Sequence, residues 1–167
     1  MKTSLLMNFT VNKEKNQINV KREFAAPRQK VWAAWTQSEL LDQWWAPRPW
    51  KTETKSMDFS EGGMWLYSMV GPEGERHWCR NDYNKITPMK GFDSRDAFCD
   101  EDGNVNGEMP RANWSTQFDE AEGSTFVKIQ TTYESLEALE MVIKMGMKEG
   151  FTAALENLDE LLEAQTK

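Results

Sequence analysis

The 167-residue chain carries 27 acidic against 20 basic residues, for a formal net charge of −7 at pH 7 and a pI near 4.9. That balance argues against binding to nucleic acid or to an anionic membrane surface, both of which call for clustered Lys and Arg. The length suits one domain that buries enough surface to hold together without disulfides or a structural metal.

The opening MKTSLLMNFT has too short an apolar run, Leu5 to Met7, for a secretory-signal core, and no later run is long enough to cross a bilayer. A cytoplasmic location is therefore expected, where Cys79 and Cys99, lacking CxxC spacing, read as buried thiols. Residues 1–15 read as an extended leader, with Phe9 and Val11 placed to pair back through NKEKNQ, ahead of a single domain over 16–165. NQINVKREF, 16–24, alternates Ile18, Val20 and Phe24 on one side and predicts a half-buried strand. Pro27 suits the start of a helix in which Val31 and Trp35 lie one turn apart. Ser38 is placed to cap a second short helix, and Pro47 ends it.

From Trp50 to Tyr133 the period changes to two, punctuated by SEGG, GPEGE, TPMKG, DEDGNVNG and DEAEGS. Six strands follow, at about 50–59, 63–70, 76–86, 92–100, 112–119 and 125–133. Their short connections leave no room for crossovers, so the sheet should be an antiparallel meander. Ser135 then caps one long helix whose stripe runs from Leu136 and Leu139 through Gly146, Met147, Gly150 and Phe151 to Leu161 and Leu162. Each mid-helix glycine costs about 1 kcal/mol against alanine, which is offset either by close approach of another backbone or by room for a ligand.

REFAAPRQKVWAAWTQSELLDQWWAPRPW, DFSEGGMWLYSM, GPEGE and MGMKEGFTAALENLDELL, in that order, resemble the family of activator of heat-shock protein 90 ATPase homologues, within the START-like or SRPBCC superfamily. The resemblance implies an α+β helix-grip fold like that of the birch-pollen allergen: a curved antiparallel sheet of about seven strands wrapped around a long C-terminal helix, with two short helices after the first strand. It also implies a hydrophobic cavity between sheet and helix. Eukaryotic activators add an N-terminal chaperone-binding domain, for which the 15-residue leader has no room, so a chaperone partner is not the leading expectation.

Catalytic and metal chemistry find little material. His77 is the single histidine, and its spacing to Cys79 and Cys99 matches no zinc motif. In DEDGNVNGE, Val105 stands where a calcium loop needs glycine and Arg111 where it needs glutamate, so it reads as a hairpin loop. GxGxxG, P-loop and GxSxG patterns are missing, and no cofactor, metal or catalytic residue is assigned. Asp96, alternating with inward-facing Phe92 and Phe98, wants a partner, for which Arg76, Arg80 and Arg95 are candidates.

What remains is aromatic: LLDQWWAPRPW packs three tryptophans into residues 40–50. Flat side chains with one polar atom suit a cavity wall and equally suit a solid core. The candidate lining is Trp35, Trp44, Trp65, Tyr67, Met69, His77, Trp114, Met147 and Phe151, with His77 and Tyr67 as polar anchors for a small hydrophobic or aromatic ligand. An enzyme using His77 with Asp96 or Tyr67, a chaperone-associated module, and a homodimer stay open as alternatives.

Overall fold

A computed structural model describes residues 5–165. The chain runs β1 (Met7–Asn12), β2 (Gln17–Phe24), α1 (Arg28–Thr36), α2 (Ser38–Trp44), β3 (Lys51–Met57), β4 (Met64–Val70), β5 (Arg76–Thr87), β6 (Gly91–Cys99), β7 (Ala112–Ala121), β8 (Ser124–Tyr133), α3 (Leu136–Lys144) and α4 (Met147–Gln165). All strands join one antiparallel sheet in the order β1-β2-β8-β7-β6-β5-β4-β3, with α4 held against its concave face.

The sheet has eight strands rather than about seven. The additional one is β1, in which Phe9 lies opposite Val20 and Val11 opposite Ile18. It forms an edge with one partner and much exposed surface, so its residues carry only a weak apolar alternation. Between Trp50 and Tyr133, the strands fall where period-two alternation and glycine-bearing turns place them.

The C-terminal helix is two helices. Gly146 has φ +90°, a conformation open to glycine at little cost, and its N–H closes α3 on the Ile143 carbonyl at 3.1 Å. The apolar spacing continues across this break, which is why the sequence reads as one helix. Ser135 caps α3 by accepting from the Ala138 N–H at 3.1 Å. Ser38 is already inside α2, which starts from Gln37 with no side-chain cap.

Leu155 and Leu158 of α4 are fully buried and meet Ile18, Val20, Phe24, Val127 and Ile129 in one core. Each such side chain contributes about 1.5–3 kcal/mol on leaving water. Two polar ties fix the angle of α4. Arg22 of β2 forms a part-buried ion pair with Asp159, and Asn157 donates its amide N–H to the Ala46 carbonyl at 3.0 Å. Burial of the helix C-terminal to Gly150 is thus complete on the sheet side, whereas α3 fully buries only Leu139.

Candidate functional site

Where α3 meets α4 the core is not filled. A cavity of about 310 Å³ lies between the sheet and this junction, within the size range of small-molecule sites. Its floor comes from Tyr67 and Met69 of β4, Cys79 of β5, Asp96 and Phe98 of β6, Trp114 of β7 and Tyr133 of β8. Its roof comes from Val142, Met145, Gly146, Met147, Gly150 and Phe151, and one side from Trp45 and Pro47. Met145 is 52% exposed and also lines the cavity, so the opening lies beside the α3–α4 junction.

Strand register explains this set. Tyr67 lies opposite Cys79 and Cys79 opposite Phe98, so all three share the concave face. The glycines supply the space: a Cβ on Gly146 would meet nothing closer than a Glu149 carboxylate oxygen at 3.9 Å, and one on Gly150 only Pro47 Cγ at 3.8 Å. Trp45, Trp114 and Phe151 form the aromatic wall, with ring centroids 5.9–6.2 Å apart.

Of the sequence-derived lining, Tyr67, Met69, Trp114, Met147 and Phe151 lie on the cavity. Trp35, Trp44, Trp65 and His77 do not. Trp44 is completely buried and donates its indole N–H to the Ala34 carbonyl at 2.9 Å, which locks α2 on α1. Its neighbour Trp45, about 100° further round the helix, takes the cavity position instead. Trp35 packs against Trp44 at 4.8 Å inside the core. Trp65 stacks on Tyr67 with centroids 3.9 Å apart and donates to Thr54 Oγ1, which in turn donates to Asp42. It supports the wall from behind. His77 faces Met69 across the strands but is exposed beyond the cover of α4, its ring 5.5 Å from that of Trp50.

The polar groups of the cavity are mostly committed to one another. Trp45 donates its indole N–H to the Tyr67 hydroxyl at 3.1 Å. Asp96 accepts the Ala112 N–H on Oδ1 at 2.7 Å and the Trp114 indole N–H on Oδ2 at 2.8 Å. Among the described residues no arginine side chain bridges it: Arg80 binds Asp82, Arg95 reaches Glu134, Arg76 reaches Glu53, and Arg111 donates to the Asp96 backbone carbonyl. The reason is facing, since Asp96 turns into the cavity whereas Arg76, Arg80 and Arg95 sit at alternate strand positions that point to the other face of the sheet. Burial pushes the Asp96 carboxyl above the usual carboxylate range, partly opposed by its two N–H donors and by the positive charge of Arg111 and Arg95. Burial likewise raises the Tyr67 hydroxyl well above its ordinary value and pushes the Cys79 thiol up to about 12. Tyr67 and Cys79 therefore hold their protons at neutral pH.

Asp100 accepts from the backbone of Asp102 and from both nitrogens of Asn104, so 100–104 is a self-satisfied turn. No described helix is long and apolar enough to cross a membrane.

Comparison with known proteins agrees with this architecture. The model of the family described as Activator of Hsp90 ATPase homolog 1-like protein matches residues 25–163. Protein Ms6760 from Mycobacterium smegmatis is similar at 29% identity and TM-score 0.87, over 95% of this chain and 97% of that one. A protein from Arthrobacter aurescens is similar at 28% identity and TM-score 0.89, over 94% and 91%. CalU16 from Micromonospora echinospora shares the fold at 15% identity and TM-score 0.61, over 98% and 89%. No curated protein matches the chain. With a helix-grip sheet clasping α4, and a family match over most of its length, the chain belongs to the Activator of Hsp90 ATPase homolog 1-like family.

Proposed function

We propose that this protein binds a small, largely apolar molecule in the cavity between its sheet and the α3–α4 junction. The observation that carries the reading is the cavity itself: about 310 Å³ walled by Trp45, Trp114, Phe151, Met69 and Met147 between the sheet and the α3–α4 junction. Apolar walls with a few placed polar groups are how proteins hold such guests. Methionines at 69, 145 and 147 let the wall adapt to the guest's shape.

Binding rather than turnover is the reading the chemistry favours. A thiol raised to about 12 is a poor nucleophile, a hydroxyl raised well above its ordinary value is a poor base, and His77 stands outside the cavity. The two unbonded cysteines suit a reducing cytoplasm, the location we propose.

Thermal unfolding with a panel of apolar aromatic compounds tests this reading, in the wild type and in Gly150→Leu, whose side chain grows into the cavity. Compounds that raise the wild-type Tm should leave the variant's Tm unmoved, since stabilisation by a ligand requires its site. Failure of every compound to shift the wild type, or equal shifts in both, overturns it.

A further inference from the structure

The walls of the cavity are unbalanced in hydrogen-bonding capacity. Its two indole N–H groups are spent internally, Trp45 on Tyr67 and Trp114 on Asp96. Its strongest acceptor is not spent. A carboxylate offers about four acceptor positions, and the Asp96 oxygens each take one donor, from Ala112 and from Trp114. The remaining positions belong to a group that lines the cavity amid apolar side chains.

Resting on the proposal that the cavity binds an apolar guest, we infer that it selects guests carrying one hydrogen-bond donor, an ammonium or a hydroxyl, placed against Asp96, and rejects guests carrying a carboxylate. A carboxylate guest would leave water for a cavity with no uncommitted indole N–H and would set its charge against Asp96. An ammonium guest would supply the opposite charge that a buried carboxylate lacks on its cavity side. Arg111 and Arg95 act on Asp96 from its other side, so they do not compete for the position. Tyr67, Cys79 and Tyr133, the other titratable groups lining the cavity, retain their protons through burial and add no charge of their own.

The test is a set of four probes with one body: 2-methylnaphthalene, 2-naphthylmethanol, 2-naphthylmethylamine and 2-naphthoate, titrated calorimetrically at neutral pH. The wild type should bind the amine and the alcohol about tenfold or more tighter than the hydrocarbon, and the carboxylate more weakly than the hydrocarbon. In Asp96→Asn the preference for the amine should fall about tenfold, while the affinity for the hydrocarbon stays within about twofold. Wild-type binding of all four probes with equal affinity, or of the carboxylate as tightly as the amine, overturns the inference and leaves the apolar cavity standing. Failure of the hydrocarbon and every other probe to bind overturns both. Because the ranking is measured first in the wild type, a poorly folding variant does not shield the inference.

Discussion

Trp114 donates its indole N–H to Oδ2 of Asp96 across 2.8 Å, joining neighbouring strands β7 and β6 through side chains that both line the cavity. The bond holds a carboxyl in a place that would otherwise expel it, and it does so without a cation on the cavity side. The consequence is a measurable pH dependence. The folded state raises the Asp96 pKa above its ordinary 3.8, chiefly by burial, so between these two values the folded chain binds a proton that the unfolded chain releases. Stability from this site is greatest below 3.8 and declines as pH rises through the folded value. Comparing Tm against pH for the wild type and Asp96→Asn should show the wild type losing stability relative to the variant across that window. Parallel curves would contradict it.

Adjacent tryptophans should behave differently. Trp44→Ala removes a completely buried ring and its bond to Ala34, and should cost about 3–5 kcal/mol in denaturant unfolding. Trp45→Ala opens a wall that already borders space and should cost clearly less, while weakening the binding of an aromatic probe. Equal losses of stability would mean that Trp45 is core in the same sense as Trp44.

The two glycines of the C-terminal segment should respond with opposite signs. Gly146→Ala forces a Cβ into φ +90° and should destabilise by about 1–2 kcal/mol. Gly150→Ala meets only an ordinary contact with Pro47 and should stabilise by up to about 1 kcal/mol through helix propensity. Chemical denaturation of both variants checks the pair; a stabilising Gly146→Ala would remove the break between α3 and α4 from this account.

Thiol labelling should be selective. Cys79, half-buried on the concave face with its thiol pushed up to about 12, should resist alkylation in the folded protein at mildly alkaline pH. Cys99 lies across from Trp78, on the other face, and should account for the labelling seen. Mass analysis of the labelled peptides decides; faster modification of Cys79 would contradict the burial described.

The sequence carried the six strands β3 to β8 to within about two residues, because period-two alternation and glycine turns act locally. It carried much less of the cavity. Helical spacing puts Trp44 and Trp45 on neighbouring faces, but which one meets the core depends on how α2 rolls against α1, set by the Trp44–Ala34 bond. His77 and Met69 share a face by register, yet only Met69 lies beneath α4, since the end of a strand can run past the helix that covers its middle. Trp65 and Tyr67 also share a face, and their stacking puts Tyr67 at the surface of the cavity and Trp65 behind it. The glycine break at 146 was hidden because the apolar stripe resumes on the far side in nearly the same phase. Asp96 was legible as an inward carboxyl, whereas its donors, one of them a backbone N–H sixteen residues along the chain, come from the pairing of strands.

Titration of the isotopically labelled protein with 2-methylnaphthalene, followed by ¹H–¹⁵N correlation spectra, reads the occupied site directly. Saturable shifts should gather at the indole N–H groups of Trp45 and Trp114 and at the amides of Gly146 and Gly150, leaving the indoles of Trp50 and Trp78 unmoved. No saturable shift, or shifts gathered at Trp50 and His77 instead, would contradict a guest held between sheet and helix.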